Sequence, residues 1–308
     1  MSGCFCGKEA VMAVGGRQLC KRHFIESVER RTRRTMREFR MLQKGDRLAA
    51  ACSGGKDSVS LLYILKPVCD ELGIPLTAIA IDEGICGYRD RALAVARKNC
   101  RRLNIPLRVF PFRKLVGLSM DDVMRSPEKV GAPCSYCGVF RRWALNRAAR
   151  EIGATKLATG HNLDDAAQTV LMNMMRNEPH RLARFGPNGG LAEDGGFVRR
   201  IKPLIRIPER ELALYAVLKG AGVLFQTCPY AGEAMRNEVR DFLNEIEERH
   251  PGTKVRILNS FLSIRPSLCA TFATAEKPSR CSSCGEPASQ NPCKRCEMVA
   301  ELLGEKNR

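Results

Sequence analysis

Six consecutive residues, Ser53-Gly54-Gly55-Lys56-Asp57-Ser58, have the types and the spacing to bind phosphate. An apolar run of strand length precedes them, and apolar side chains at helical spacing follow, so a glycine turn between a strand and a helix is predicted. Backbone N–H groups in such a turn point outward, and the helix N-terminus adds partial positive charge. The pattern G-x-x-x-x-G-K-[ST] of the common nucleoside triphosphatases is absent. The alternative is an ordinary strand-to-helix turn that happens to contain glycines.

A second predicted strand end carries acidic residues. Gly160-His161-Asn162 follows the apolar stretch 156–159, and Asp164 and Asp165 come next, where a helix begins. Carboxylates at this position suit Mg²⁺ bound to ATP phosphates, because Mg²⁺ prefers oxygen ligands. We expect Asp165 to bind Mg²⁺ and Asp164 only to offset the helix dipole.

The cysteines indicate metal sites. No apolar segment is long enough to cross a membrane and the N-terminus lacks a signal-peptide pattern, so a soluble, cytoplasmic protein is expected. Fifteen cysteines in such a chain favour metals or reactive thiols over disulfides. Two groups have zinc-ligand spacing: Cys4, Cys6, Cys20 and His23, and Cys281, Cys284, Cys293 and Cys296. The first contains Cys-x-Cys where Cys-x-x-Cys is usual, so a pair of free thiols is its alternative.

Three further cysteines, Cys134, Cys137 and Cys228, form a candidate set from two distant segments. Three thiolates suit an iron–sulfur cluster that keeps one iron position open for a substrate atom. Alternatively, Cys134 or Cys228 carries a persulfide, which requires a thiolate activated by a cation such as Arg141. A third zinc site or buried thiols remain as structural alternatives. The spacing does not choose among these interpretations.

The charge of the chain predicts a polyanionic partner. Its 51 Lys and Arg against 33 Asp and Glu give a net charge of +18. The densest run is Arg30, Arg31, Arg33, Arg34, Arg37 and Arg40. Because the planar guanidinium group donates two hydrogen bonds to phosphate at once, this run favours nucleic acid over a merely solvated helix face.

Strands alternate with helices, which predicts an α/β fold with a parallel sheet covered by helices on both faces. Helices are predicted over 25–44, 58–72 (with Pro67 kinking or ending the last turn), 89–103, 138–152, from 160 onward, 208–220, 234–249 and 253–263, and strands over 47–52, 76–82, 107–112 and 156–159. The stretch 113–131 has no clear pattern, and 178–200 is predicted as a flexible loop near RNA. The predicted units are an N-terminal zinc finger (1–24), a catalytic domain (25–269, with a basic helix at 25–44) and, after a linker over 270–280, a C-terminal zinc ribbon within 270–308.

These motifs resemble a known family. Ser53–Ser58 resembles the PP-loop of the ATP pyrophosphatases, which split ATP between the α and β phosphates. Nearly the whole chain resembles the tRNA 2-thiolation enzymes of the TtcA/TtuA group, through residues 4–23, 134–142, 159–165 and 241–250 and the terminal ribbon. The two terminal zinc sites and the stretch 241–253 are most similar to the TtuA type.

The resemblance implies a PP-loop core, a homodimer and a [4Fe–4S] cluster on Cys134, Cys137 and Cys228. It implies catalytic parts for Asp57, Arg141 and Asp165, although arginine, a lysine in some relatives, cannot give up its proton. The implied ATP contacts are Ala51, Ser53, Gly54, Gly55, Lys56, Asp57, Ser58, Ile81, Gly160 and Asp165. ATP, Mg²⁺, the cluster and two Zn²⁺ are the implied cofactors, and tRNA and a ubiquitin-like sulfur carrier with a C-terminal thiocarboxylate the implied partners.

The resulting hypothesis is an ATP-dependent tRNA sulfurtransferase: uridine O2 is adenylated, and sulfur then replaces it at C2 to give 2-thiouridine. The T-loop and wobble uridines are both candidates, with a slight preference for the T-loop. Two alternatives remain. One is a PP-loop ligase or amidotransferase with another substrate, which would not need the three cysteines. The other is a non-catalytic, zinc-containing RNA-binding protein.

Overall fold

The computed structural model describes residues 3–189, 196–231, 235–272 and 279–304. Within these ranges the strands are β1 (Met12–Val14), β2 (Arg17–Leu19), β3 (Leu48–Ala51), β4 (Leu76–Asp82), β5 (Leu107–Pro111), β6 (Lys156–Ala158), β7 (Asn188–Gly189), β8 (Arg199–Ile201), β9 (Ser279–Arg280) and β10 (Pro287–Ala288). The helices are α1 (Lys21–Glu38), α2 (Lys56–Leu72), α3 (Arg89–Arg102), α4 (Phe112–Leu115), α5 (Met120–Arg125), α6 (Pro133–Glu151), α7 (Leu163–Met175), α8 (Pro179–Arg184), α9 (Glu209–Leu218), α10 (Met235–Arg249), α11 (Thr253–Phe272) and α12 (Lys294–Leu302).

The central sheet of the described chain has the order β5-β4-β3-β6-β8-β7. Neighbouring strands are parallel from β5 through β8, and only β7 at the edge runs antiparallel. The predicted α/β class is therefore confirmed. Two short hairpins, β1–β2 and β9–β10, lie outside this sheet, one in each terminal module.

The strand order reverses beside β3. The chain moves outward from β3 through β4 to β5 and then returns to place β6 on the other side of β3. In open parallel sheets, ligands bind in the crevice beyond the carboxyl ends of the strands at such a switch point. The turn after β3 and the turn after β6 therefore face each other across the crevice.

Both faces of the sheet are buried, which explains why its central strands read as continuous apolar runs. In β3 the side chains of Leu48 and Ala50 join one core cluster, together with Phe24 of α1 and Leu61 of α2, and Ala49 joins the other. The second cluster contains α6 residues such as Phe140 and Leu302 of α12, so the C-terminal module packs on that face.

Two prolines lie inside helices, and the helix predicted over 58–72 reaches its predicted end beyond Pro67. The helix α2 continues through Pro67 to Leu72, and α11 continues through Pro266. In α2 the neighbours Leu65 and Val68 are buried against the core, and this packing offsets the cost of the lost hydrogen bond.

Several boundaries also differ from the predictions. The stretch 113–131 contains α5, which begins with a capping box between Ser119 and Asp122. The predicted loop 178–200 contains α8, β7 and β8 in its described parts, while 190–195 lies outside them. The predicted linker 270–280 is helical up to Phe272, and 273–278 lies outside the described residues. Across the part of the chain that is described, no helix combines the length and apolarity needed to cross a membrane.

Asp164 does more than offset a helix dipole. Its side chain is 7% exposed, and its Oδ1 lies 2.5 Å from Lys254 Nζ on α11. Its Oδ2 accepts a hydrogen bond of 2.7 Å from the backbone N–H of Glu209. The expectation that Asp164 only offsets the dipole was therefore wrong, because Asp164 joins α7 to α11 through a buried ion pair and to α9 through a hydrogen bond.

We predict that Lys254→Ala lowers the free energy of unfolding by about 3–5 kcal/mol, because it leaves a carboxylate buried without its partner. Lys66→Ala is the matched control: Lys66 pairs with Asp70 on the surface of α2, and its loss costs about 0–1 kcal/mol. Denaturant unfolding measures both. Equal losses would contradict a structural part for the buried pair.

Candidate active site and metal centres

The turn after β3 requires glycine at its centre. Gly54 has φ +89°, and a Cβ atom there would lie 2.2 Å from the carbonyl oxygen of Ala92. The hydroxyl of Ser58 closes the turn, because it accepts a hydrogen bond of 3.1 Å from the Ser53 N–H and donates one of 3.0 Å to the Gly55 carbonyl. The turn is thus held in one conformation with α2 beginning directly after it.

Lys56 lies between two carboxylates at the start of α2. Its Nζ donates to Glu209 Oε1 at 2.6 Å and to Asp57 Oδ2 at 3.2 Å. Burial raises the pKa of Asp57, and although Lys56 opposes this, Glu209 adds to it. Asn162 Nδ2 donates to Asp57 at 3.3 Å and so links this turn to the one after β6. A cation between carboxylates that repel each other is well placed to move onto phosphate oxygens.

The turn after β6 approaches the glycine turn closely. A Cβ atom on Gly160 would lie 3.1 Å from the backbone C of Asp57 and N of Ser58. Asp165 forms a capping box with Asn162, and its Oδ1 lies 3.5 Å from Arg236 Nη1. Burial raises the pKa of Asp165 to about 6, although the backbone N–H of Asn162 and then Arg236 oppose the shift. Asp57 and Asp165 therefore lie on two turns that contact each other, and their part in binding Mg²⁺ and ATP stays a prediction.

Two further predicted ATP contacts, Ala51 and Ile81, differ in their position and burial. Ala51 is the last residue of β3 and lies directly before the glycine turn. Ile81 lies near the end of β4, but its side chain is 4% exposed and belongs to the core. A contact between Ile81 and adenosine stays a prediction.

The segment 223–228 brings Cys228 to the glycine turn. Leu224 forms a parallel bridge with Gly55, and its N–H donates to the Gly54 carbonyl at 3.1 Å. A cavity of about 390 Å³ lies here, lined by Gly55, Lys56, Asp57, Tyr88, Leu224, Phe225, Gln226, Thr227, Cys228 and Ala231. One sulfur atom of the candidate set thus shares a cavity with the phosphate turn.

The other two cysteines lie inside the first turns of α6, because Pro133 begins the helix four residues before Cys137. Cys134 is exposed, and its Sγ lies 3.7 Å from the carbonyl oxygen of Tyr230, two residues after Cys228. Arg141 lies one helical turn beyond Cys137, and its Nη2 donates to Cys137 Sγ at 3.0 Å. Burial raises the pKa of Cys137 to about 11 even though the charge of Arg141 opposes it.

A buried carboxylate connects the thiol site with the phosphate turn. Glu83 Oε1 lies 2.8 Å from Arg141 Nε, and its Oε2 lies 2.7 Å from Arg89 Nε. Arg89 Nη1 in turn donates to the Ser53 carbonyl at 2.8 Å. Burial opposes the charge of Arg141, but Glu83 and then Cys137 raise its pKa above the ordinary value. We call Cys137, Arg141, Glu83, Arg89 and the Ser53 carbonyl the arginine–glutamate chain.

The structure narrows the interpretations of the three cysteines. Among the described residues, only the two terminal groups place all their ligand atoms within 4.8 Å of one another, so Cys134, Cys137 and Cys228 do not form such a group. Cys134 is exposed, and Cys137 and Cys228 are half-buried against the core, so the three are not all buried thiols. An iron–sulfur cluster on these three cysteines stays a prediction.

Both terminal groups have the geometry of closed metal sites. Cys4, Cys6, Cys20 and His23 form one, and Cys281, Cys284, Cys293 and Cys296 the other. Cys4 and Cys6 lie together in the first, so the short Cys-x-Cys spacing does not separate their ligand atoms. Burial raises the pKa of Cys4 and of Cys281, but backbone N–H groups outweigh it and lower each to about 6, so one thiol in each group readily becomes a thiolate.

The arginines of the run, on α1 and directly after it, are of two kinds: some are paired with carboxylates and others are exposed. Arg31 is paired with Glu211 of α9, and Arg33 lies 2.5 Å from Glu71 of α2. Both therefore attach α1 to neighbouring helices. The side chains left exposed for an external anion are Arg30, Arg34, Arg37 and Arg40.

Glu83, Arg89 and Glu209 were not predicted as site residues. For Glu83 a signal was available, because it follows the last residue of β4 at the strand end where ligands bind. Arg89 and Glu209 carry no local pattern, since their partners lie far away along the chain.

The fold and the site define a PP-loop nucleotide-binding protein, and the family model described as a PP-loop domain matches residues 25–246. The chain is 37% identical to the tRNA 2-thiolation protein NcsA of Haloferax volcanii, over 96% of this chain and 98% of that protein. It is 34% identical to the tRNA-5-methyluridine(54) 2-sulfurtransferase of Pyrococcus horikoshii, over 96% and 92%. The structure of the U34-tRNA thiolase NcsA from Methanococcus maripaludis with its [4Fe–4S] cluster matches with a TM-score of 0.82 and 33% identity, over 99% of this chain and 97% of that one. The chain belongs to the family of PP-loop tRNA 2-thiolation sulfurtransferases.

We predict that Glu83→Gln lowers the rate of ATP-dependent tRNA thiolation at least about tenfold, because Arg89 and Arg141 lose the negative charge that orients them. Glu71→Gln is the matched control, since it removes a surface partner of Arg33. Initial rates and the thermal midpoint are measured together. A rate equal to that of the control would show that the arginine–glutamate chain does not position the site.

We predict that the purified chain holds about two zinc ions and that Cys284→Ser with Cys293→Ser leaves about one, because a structural zinc site needs its four ligands. Cys269→Ser is the control, since Cys269 Sγ lies against the Ala183 carbonyl, away from both groups. Elemental analysis after removal of loosely bound metal gives the count. Unchanged zinc in the double variant would contradict the C-terminal site.

Proposed function

We propose that this chain is an ATP-dependent tRNA uridine 2-sulfurtransferase. The observation that carries the proposal is the joining of the phosphate turn and the thiol site: Cys228 lines the cavity of the turn, and Glu83 connects Arg141 with Arg89. A ligase that only adenylates its substrate has no use for thiols at this position. Membership of the thiolation family supports the same reaction.

In the first half-reaction, uridine O2 attacks the α-phosphate of ATP, and pyrophosphate leaves. The N–H groups of the Ser53–Ser58 turn and the Lys56 ammonium hold the phosphates and stabilise charge at the transferring group. Asp57 and Asp165 would hold Mg²⁺ beside the phosphates, since Mg²⁺ commonly takes one or two carboxylates and keeps several waters, and the ion would offset the negative charge of the phosphates. Arg141 acts as a permanent cation and not as a proton donor.

In the second half-reaction a sulfur nucleophile forms a bond to C2, and the C2–O2 bond breaks as AMP leaves. The donor set of Cys134, Cys137 and Cys228 fits a [4Fe–4S] cluster, because three thiolates come from one cleft and Arg141 offsets negative charge on Cys137. Bound there, the cluster supplies an iron position free of protein ligands for one sulfur atom.

The partners and the position follow from the resemblance. It supports a ubiquitin-like carrier with a C-terminal thiocarboxylate as sulfur source, a homodimer, and activity in the cytoplasm, where a relative from Bos taurus is named as a cytoplasmic tRNA 2-thiolation protein. Similar relatives are named for uridine 34 and for 5-methyluridine 54. The assay therefore uses tRNAs that present each position separately.

We predict that replacing Cys134, Cys137 or Cys228 by serine lowers 2-thiouridine formation more than about 100-fold. Each cysteine is proposed to bind the cluster directly, and such a loss exceeds that of a residue that only orients a ligand. Protein reconstituted without oxygen is incubated with ATP and unmodified tRNA, and nucleosides are identified by mass. Cys86→Ser, an exposed thiol outside the set, is the control and retains activity.

The two half-reactions give the decisive comparison. The serine variants are expected to keep tRNA binding and ATP-dependent pyrophosphate release, so that only sulfur transfer is lost. Wild-type thiolation by all three would contradict the proposal. Pyrophosphate release without thiolation by the wild-type chain would indicate another PP-loop substrate.

A further inference from the structure

A group of positive side chains lies beside the carboxyl ends of β6 and β8, next to the thiol site. We call it the cation cluster, and its members are Arg142, His161, Arg200, Lys202 and Arg236. They come from four separate parts of the fold. Arg200 Nη2 on β8 donates to the backbone carbonyl of Arg142 on α6 at 2.8 Å, which fixes these two elements against each other.

The cluster lacks matching negative charge. Within the described ranges, no carboxylate oxygen lies within 4.0 Å of a charged nitrogen of Arg142, Arg200 or Lys202. Lys202 Nζ instead donates to the Gly186 carbonyl at 2.6 Å and lies 4.8 Å from the ring centre of Phe185. The nearest acid is Asp165, at 3.5 Å from Arg236.

The members work against one another electrostatically. Burial, and then the charge of Arg200, lowers the pKa of Lys202 to about 7. Burial and Arg142 lower the pKa of Arg200 to about 10. Enclosure of the ring within the cleft, and then the charge of Lys202, lowers the pKa of His161, whose Nδ1 is 2.8 Å from Thr159 Oγ1. An anion placed among these groups would relieve the repulsion and favour their charged forms.

We propose that the cation cluster binds a phosphodiester group of the tRNA backbone next to the reacting uridine. The proposal rests on the function proposed above. Arg141 and Arg142 are consecutive on α6, with Arg141 on the thiol site and Arg142 in the cluster, so a phosphate held by Arg142 lies beside the reaction centre. Contacts to the backbone position a nucleic acid without reading its bases.

The location favours RNA over the phosphates of ATP. The glycine turn already provides N–H groups and Lys56 for a triphosphate, at the end of β3. The cluster lies at the ends of β6 and β8 instead, and its members Arg142, His161 and Arg236 are exposed at the rim of the cleft. Arg181 of α8 is exposed and its charge acts on Arg142, although Arg181 also pairs with Glu178 at 3.1 Å.

The test compares Arg142→Gln with Arg97→Gln, an exposed arginine on α3 whose replacement changes the net charge equally. Binding of tRNA is measured at several salt concentrations. We expect Arg142→Gln to weaken binding about tenfold at low salt and to reduce the slope of log K against log salt by about 1. Affinity for ATP without tRNA stays within about twofold of wild type.

Short stem–loop RNAs with one neutral methylphosphonate linkage, moved along the phosphates around the target uridine, locate the contact. At one linkage the neutral group is expected to weaken wild-type binding and leave Arg142→Gln unaffected, because that contact is already lost. Equal tRNA binding by Arg142→Gln and Arg97→Gln, while wild type forms 2-thiouridine, overturns this proposal alone. Weakened ATP binding with unchanged tRNA binding also overturns it. A wild-type chain that forms no 2-thiouridine overturns the proposed function instead.

Discussion

The active cleft depends on one buried carboxylate. Glu83 is 4% exposed and lies between two guanidinium groups, one fixing the carbonyl of the phosphate turn and the other donating to a candidate cluster thiol. A carboxylate in such a place is stable only while both arginines are charged and close, since a buried charge without partners is costly. The nucleotide turn and the thiol site are therefore joined by a continuous line of charged contacts. In the proposed reaction, adenylation and sulfur transfer act on the same uridine, and these contacts place the two centres side by side.

The sheet topology explains why these groups meet. The glycine turn follows β3, the Asn162–Asp165 turn follows β6, and Glu83 follows β4. These three strands are neighbours around the switch point, so their carboxyl ends deliver the phosphate turn, the acidic pair and the bridging carboxylate to one crevice. The thiols come from outside the sheet: two lie in the first turns of α6, and the third ends the segment 223–228, which runs beside the glycine turn. Thus the nucleotide site belongs to the sheet and the sulfur site to its cover.

How far the sequence predicts this arrangement depends on the range of each interaction. The glycine turn and the terminal zinc groups were predictable, because the turn and each pair of ligands are encoded within a few consecutive residues. The parallel sheet was predictable from the alternation of strands and helices. The partnership of Glu83 with Arg141, and of Asp164 with Lys254, was not, because residues far apart along the chain meet only after folding. A local signal can also be outweighed by packing. Pro67 favours a kink or an end of α2, but α2 continues to Leu72 because the surrounding helix face is buried.

The net charge of +18 does not measure the surface available to RNA. Arg31 and Arg33 attach α1 to its neighbours, and Arg89 holds the phosphate turn. Part of the positive charge is therefore used in contacts within the protein. Two of the places where positive charge remains accessible differ in physical character. On α1 the exposed arginines are solvated and independent, which suits screened, long-range attraction of a polyanion. In the cation cluster the positive groups are crowded and lower one another's proton affinity, which suits a single anion held at a fixed place. Such a division lets the first surface collect tRNA and the second align one nucleotide with the cleft.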